Sequence, residues 1–244
     1  MQVIEEFEAD LRAFDAVYEQ WKLKNPERGF SYFNTRRIAN GVKAGRIHDT
    51  LGANLKGEQD WWSHGRGDFE KFLPHDLPKT AKVCEIGCGS LRVGAHFIKR
   101  QDPGCYFGLD VISAFYQIGL EIIGPLKAEK KPRFGVFENR TQMAADWAPD
   151  LVFSNAVALH VHPEDEQAHF AMLKTLAAKK GARVMMQVHV ADAPFRFGRS
   201  GWARTLDQYR SLMAPFELVQ ISPDKTWETP LHRIEAKVLT FKAP

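Results

Sequence analysis

Long apolar runs, paired cysteines and a strong charge of either sign are all missing from this chain. No stretch approaches the roughly 18 consecutive apolar residues that span a bilayer. Even the apolar segment from Leu151 to Val161 is broken by Ser154, Asn155 and His160, so no membrane partner is expected. Near the start stand Glu5, Glu6, Glu8 and Asp10, where a secretory signal carries basic residues before an apolar core. No export signal is expected, and the expected location is cytoplasmic. Cysteine occurs three times, as Cys84, Cys88 and Cys105, an odd number outside any C-x-x-C pair. That pattern argues for reduced thiols and against a disulfide framework or a structural zinc site. Lys plus Arg number 33 and Asp plus Glu 30, a formal charge of +3. So small an excess does not build the field of a dedicated nucleic-acid binder. The expected partner is a small molecule, and a homo-oligomer is compatible with the chain.

What is present is ordinary globular material. Of the 244 residues, 44% are hydrophobic and 26% charged, which excludes a disordered or fibrous chain. The length suits one elaborated domain or one domain with an appendage. Residues 3 to 23 set Phe7, Leu11, Phe14, Tyr18 and Trp21 at alternating spacings of four and three, which predicts one apolar helical stripe, ended by Asn25-Pro26. Six acidic residues stand among the first twenty positions, against Arg12 alone. From Lys22 to Lys56 the balance reverses, with eight basic residues against Glu27 and Asp49. Two readings stay open for that stretch: an anion-binding face, or a solvated surface pairing with the acidic first helix.

From Lys82 the pattern changes to short apolar runs of strand length: 83–86, 105–109, 134–137, 151–153 and 183–190. The gaps between them hold crossover helices, so a mainly parallel sheet with helices on both faces is predicted. A helix over 203–213 follows, then strand-like runs at 216–221 and 234–241 too close for a crossover helix. These two pair antiparallel at the sheet edge. The expected fold class is α/β, doubly wound, with an N-terminal helical extension over 1–79 ahead of a ligand-binding domain over 80–244.

The most informative segment is Val83-Cys84-Glu85-Ile86-Gly87-Cys88-Gly89-Ser90-Leu91-Arg92-Val93-Gly94, a strand running through glycines into a helix. Gly87 and Gly89 let the backbone turn sharply and approach a ligand. Asp110 ends the next strand, 21 residues after Gly89, where a carboxylate accepts both hydroxyls of a ribose. A dinucleotide site wants a third glycine at position 92, which is Arg92 here. Glu85 would repel a pyrophosphate and suits a ligand carrying an ammonium and a sulfonium. That ligand is S-adenosylmethionine.

At these residues the chain resembles the class I S-adenosylmethionine-dependent methyltransferases. Glu85-x-Gly87-x-Gly89 with Asp110 is similar to their first two motifs, and Pro149 to Asn155 to their fourth strand, over residues 80 to 242. One departure stands out: the frequent third glycine of the loop is Leu91. The resemblance implies a seven-stranded sheet whose last strand is antiparallel. It implies that Gly87, Cys88 and Gly89 approach the cofactor and that Glu85 organises the loop or the amino group. Asp110 would hold the ribose, Val111 and Ile112 flank the adenine, and Glu138 or Asn139 contact its amino group. Ser154 and Asn155 would face the methionine part.

Methyl transfer needs an aligned acceptor and, for a hydroxyl, removal of its proton, a task that suits a histidine. His160, after the fourth strand, is the expected catalytic base; His189, ending the fifth strand, is a second candidate. No metal is expected. Trp62, His64 and Arg66 in Trp61-Trp62-Ser63-His64-Gly65-Arg66 read as a platform for a sugar or aromatic acceptor, or as a hinge docking the N-terminal helices. The segment 191–202, with Arg199 and Trp202, reads as a mobile substrate loop whose basic residues suit an anionic acceptor. The sequence thus predicts methylation of a small molecule, at a hydroxyl of a saccharide or secondary metabolite. The rivals are methylation of RNA or protein, and a cofactor-binding scaffold without turnover.

Overall fold

A computed structural model describes residues 2–43, 61–228 and 233–244. Its centre is a seven-stranded sheet in the order β3-β2-β1-β4-β5-β9-β8. The strands are β1 (Val83–Ile86), β2 (Tyr106–Asp110), β3 (Arg133–Val136), β4 (Leu151–Ser154), β5 (Arg183–Val190), β8 (Glu217–Glu228) and β9 (Arg233–Lys242). β1 to β5 run parallel; β9 lies antiparallel to both β5 and β8. β9 is thus inserted next to β5, and its hairpin partner β8 forms the sheet edge. β8 runs longer than the predicted 216–221 because it keeps pairing with β9, through two register shifts, as far as Glu228.

β1, β2 and β4 are buried along their whole length, as expected of parallel strands covered on both faces. On one face Ile86, Leu109, Val152 and Val188 pack under α7 (Glu166–Leu176) and α8 (Leu206–Met213). On the other, Val83, Phe153 and Met185 pack against Phe97 of α4 (Gly94–Arg100) and Phe72 of α3 (Arg66–Phe72). Burying each of these large apolar side chains contributes roughly 1.5–3 kcal/mol. The remaining crossover helices are α5 (Ser113–Lys130) and α6 (Phe137–Asp146). Phe137, predicted to end β3, opens α6 instead.

The predicted helix over 203–213 begins only at Leu206. Ala203 pairs with Phe195 in a small hairpin of β6 (Phe195–Gly198) and β7 (Gly201–Ala203). Thr205 then closes a capping box with Gln208, which fixes the helix start.

At the N-terminus α1 (Gln2–Lys24) and α2 (Phe30–Lys43) form an antechamber to the sheet. The α1 stripe packs Phe14, Tyr18 and Trp21 against Phe30 and Phe33 of α2 and Trp202 of β7. Tyr18 and Phe30 meet edge-to-face with centroids 5.1 Å apart. Two carboxylates of α1 reach past the basic stretch that follows them in the sequence. Asp10 pairs with Arg199 and Asp15 with Arg196, both in the β6–β7 hairpin. Of the basic stretch, Lys22 reaches Glu164 and Arg28 reaches Glu138; Arg46, Asp49 and Lys56 lie outside the described residues. No described helix is long and apolar enough to cross a membrane.

Candidate functional site

Because β1, β2 and β4 are parallel, the loops after them meet at one edge of the sheet, where doubly wound folds bind ligands. The loop after β1 is pinned first: the backbone N–H groups of Gly87 and Cys88 both donate to the carbonyl of Leu109, at 2.8 and 3.1 Å. Gly87 holds φ +71°, and a Cβ there would come within 2.4 Å of Val157 Cγ2. Only glycine fits. Two residues past Gly89, Leu91 takes the same left-handed backbone at φ 64° with its side chain fully buried. The residue standing at the usual third glycine therefore keeps the glycine-like turn, at roughly 1–2 kcal/mol of backbone strain offset by core packing.

Asp110 closes this loop from the next strand. Its Oδ2 accepts the Gly89 N–H and its Oδ1 the Val111 N–H, each at 2.7 Å. Burial raises its carboxyl to about 6, although these two backbone donors pull it down. A carboxylate has about four lone-pair sites, so each oxygen retains capacity for a ligand hydroxyl.

Gly87, Gly89, Asp110 and Val111 head a cavity of about 340 Å³, at the lower end of the volumes that take a small ligand. Two helices wall it. α2 contributes Ser31, Asn34, Thr35 and Ile38; the end of the β4–α7 loop and α7 contribute Asp165, Ala168, His169 and Met172. Phe115, Phe137, Asn155, Ala156, Val157, His160 and Val161 complete the lining. Among these residues the charged groups are two carboxylates, Asp110 and Asp165, with no Lys or Arg. The described lining suits a neutral or cationic nucleoside with apolar faces, and none of its residues would neutralise a pyrophosphate.

The cap and the loop are joined by acidic contacts. The N–H and hydroxyl of Ser31 donate to Asp165 Oδ2, at 2.9 and 2.6 Å, and the Phe30 N–H donates to Glu164 Oε1 at 2.6 Å. Tyr18 donates to the same Glu164 oxygen. Carboxylates thus take the first free N–H groups of α2, where the helix dipole favours negative charge. Gly29 leaves room for them, since a Cβ there would lie 2.4 Å from Asp165 Oδ1.

The residues singled out in the sequence divide into several groups. Gly87, Gly89, Asp110, Val111, Asn155 and His160 come together around the cavity. His160 Nδ1 donates to the carbonyl of Ser200 at 2.5 Å. Asn155 Nδ2 donates to Asp68 at 3.3 Å, beside the Arg92–Asp68 ion pair. Glu85 lies beneath the loop, outside the lining: it accepts from the Tyr106 hydroxyl, and a Cβ on Gly94 would meet its Oε2 at 2.3 Å. Burial raises its carboxyl to about 8, so it packs the loop from below. Cys88 is buried beside it, and Ser154 Oγ is buried without a partner among the described residues. Ile112 packs on Ile38 and Phe115 behind the wall. Glu138 and Asn139 are exposed on α6, and Phe137 holds the neighbouring place in the lining.

The expected acceptor residues do not gather at the cavity. Trp62 lies edge-on to His96 and under Lys99, and His96 Nε2 donates to the His64 carbonyl at 2.9 Å. This segment docks onto α4. Arg66 is exposed and pairs with Glu70. Trp202 belongs to the cap's aromatic cluster, and Arg199 is occupied by Asp10. His189 is buried against Phe197 and Trp227, with Nδ1 unpartnered among the described residues; burial lowers its pKa to about 4. Among the described residues no three His, Cys, Asp or Glu side chains gather as metal ligands do.

The α2 and α7 walls were not foreseen. Ser31, Asn34, Thr35 and Ile38 fall at i, i+3, i+4 and i+7, and Asp165, Ala168, His169 and Met172 repeat the spacing. Each is one helix face. The signal was in the sequence as a stripe of mixed polarity.

No protein-family model matches the chain, and no curated protein matches it. Solved structures do. The chain is similar to magnesium protoporphyrin IX methyltransferase from Synechocystis PCC 6803 with bound SAH, at 14% identity over 88% of this chain and 97% of that one, TM-score 0.57. It is also similar to geranyl diphosphate methyltransferase in complex with SAM, at 12% identity over 73% of this chain and 85% of that one, TM-score 0.56. A third likeness, at 15% identity over 85% and 92% of the two chains and TM-score 0.57, is to a structure described as conversion of a disulfide bond into a thioacetal group during echinomycin biosynthesis. The sheet order, the inserted antiparallel β9 and these likenesses agree: the chain has the fold of the class I S-adenosylmethionine-dependent methyltransferases.

Proposed function

We propose that this protein is an S-adenosylmethionine-dependent methyltransferase acting on a small molecule, at a hydroxyl of a saccharide or secondary metabolite. The observation that carries the reading is a single chamber headed by Gly87, Gly89 and Asp110, walled by His160, and lined by carboxylates without a described cation. Bound there, S-adenosylmethionine supplies an electrophilic methyl carbon on a sulfonium.

The chain's own residues do the rest. Asp110 accepts the two ribose hydroxyls with the lone pairs that Gly89 and Val111 leave. Val111, Phe137 and Ile38 offer apolar surface to the adenine. His160 takes the acceptor's proton. A carbonyl oxygen only accepts, so the contact with Ser200 puts the imidazole hydrogen on Nδ1 and leaves the lone pair on Nε2. The N-terminal helices contribute α2 to the chamber wall and act as the substrate-side extension.

Calorimetry with S-adenosylmethionine, S-adenosylhomocysteine and NAD in parallel tests the cofactor. The first two are expected to bind and NAD not to; binding of NAD alone overturns the reading. Methyl transfer from labelled S-adenosylmethionine into fractionated metabolites tests the chemistry. His160→Gln is expected to lower that transfer by about 10²–10⁴-fold while cofactor affinity stays within about twofold. Full activity would end His160's candidacy.

A further inference from the structure

We propose that Arg196, held by Asp15, is a positioning residue for His160. It fixes the turn whose Ser200 carbonyl selects the tautomer of the imidazole. Its catalytic consequence rests on the reading of His160 as base; its structural content does not.

The turn joining β6 to β7 is two residues long, Arg199 and Ser200, between the paired Gly198 and Gly201. The register shifts between Arg196 and Gly198, so the ladder is irregular at the carbonyls leading into the turn. The Arg196 guanidinium fixes them. Its Nε donates to the Gly198 carbonyl at 3.0 Å and its Nη2 to the Arg199 carbonyl at 2.7 Å. The third nitrogen, Nη1, reaches both oxygens of Asp15 on α1, at 2.6 and 2.8 Å. The guanidinium also lies over the rings of Phe14 and Trp202, at 5.7 and 5.4 Å. A planar fork that serves three partners at once is a property of arginine, and an ammonium does not reproduce it. Arg199, inside the turn, is tied to Asp10, five residues before Asp15 on α1.

The next carbonyl along the chain is that of Ser200, and it accepts from His160 Nδ1. Which nitrogen of a neutral imidazole bears the hydrogen is set by the bond the other atom makes. With the turn held, the hydrogen sits on Nδ1 and Nε2 is basic. With the turn released, the ring redistributes between its tautomers, and the Nε2–H form has no lone pair to offer on that side. The arrangement also couples the base to the cap: α1 must be docked for Asp15 to hold Arg196. The acidic first helix and the basic loop, two features of the sequence that looked unrelated, meet in this contact.

The test is the tautomer of His160 in the full chain labelled with ¹⁵N-histidine, read from long-range ¹H–¹⁵N spectra and assigned by the signal that His160→Gln removes. The wild type is expected to show the Nδ1–H form alone. Asp15→Asn, at a half-exposed position, keeps the shape and removes the charge; Arg196→Lys keeps the charge and removes the fork. Each is expected to raise the Nε2–H population at least severalfold. A wild-type ring protonated on Nε2 overturns the proposal, as does an unchanged tautomer in either folded variant. If neither variant folds, the Arg196 Nε–H signal of the wild type labelled with ¹⁵N-arginine decides: slow exchange with solvent supports the fork, and a freely exchanging guanidinium overturns it. Where methyl transfer is also followed, a tautomer shift with kcat lowered about tenfold or more and KM within about twofold supports both claims. A tautomer shift with unchanged kcat leaves the positioning role intact and removes His160 as base.

Discussion

At Asp110, burial and hydrogen bonding oppose each other. Burial lifts the carboxyl to about 6 from an ordinary value of 3.8, against the pull of the Gly89 and Val111 N–H groups. Because the folded value is the higher one, this group stabilises the unliganded fold below about pH 4, and that contribution is lost as the pH rises through about 6. Ligand binding has the opposite dependence, since a protonated carboxyl offers the ribose fewer acceptors. Affinity for S-adenosylhomocysteine is therefore expected to fall below about pH 6, by up to about tenfold per pH unit. Calorimetry between pH 5 and 8 measures it, and Asp110→Asn should flatten the profile. A flat wild-type profile would remove Asp110 from the site. The residue was legible in the sequence because a fixed spacing from Gly89 placed it; Glu85 was legible as a motif member, but not its position beneath the loop. The motif fixes the backbone path, whereas Tyr106 and Gly94, on other elements, decide where the Glu85 side chain goes.

Among the elements, the sheet was readable strand by strand, because buried parallel strands are short, uninterrupted apolar runs between turn signals. The β6–β7 hairpin was not. Its four-residue and three-residue strands carry aromatic, basic and glycine residues in the mixture expected of a loop, and the partners of its Arg196 and Arg199 stand far away on α1. The docking of α2 was equally hidden, because its N-terminal cap is supplied by Glu164 and Asp165, some 134 residues away in the chain. Removing that cap should act locally. Asp165→Ala is expected to cost about 1–2 kcal/mol in the stability of the α2 contact. The expected result is faster amide exchange in α2, with protection in β1 and β4 unchanged. Uniform loss of protection would mean that cap and sheet unfold together.

For the whole molecule, the net charge of +3 gives no guide to the chamber, whose described charged groups are both acidic. Arg196 and Arg199 are committed to carboxylates of α1, and Lys22 to Glu164 of the β4–α7 loop. Sequence counting cannot see this, because it adds charges that the fold pairs across the chain. The chamber itself belongs to no single element: α2, the loops after β1, β2 and β4, and α7 each supply one side. A ligand that fills it therefore binds the folded chain and has no site on the unfolded one. At a free concentration one hundred times Kd, S-adenosylmethionine should stabilise the fold by about 2.7 kcal/mol. For a chain of this size that corresponds to a rise in Tm of about 5–11 °C. NAD at the same concentration should leave Tm unchanged. Of the six tryptophans, Trp21 and Trp202 sit in the aromatic cluster of the cap, so the part of the fluorescence signal that Trp21→Phe and Trp202→Phe remove reports on that region, while far-UV circular dichroism follows the sheet and its helices. Both signals should move together on adding ligand, because the ligand bridges what they report on. A rise confined to the circular-dichroism signal would show that the ligand sits on the sheet edge alone, and that α2 is not part of its site.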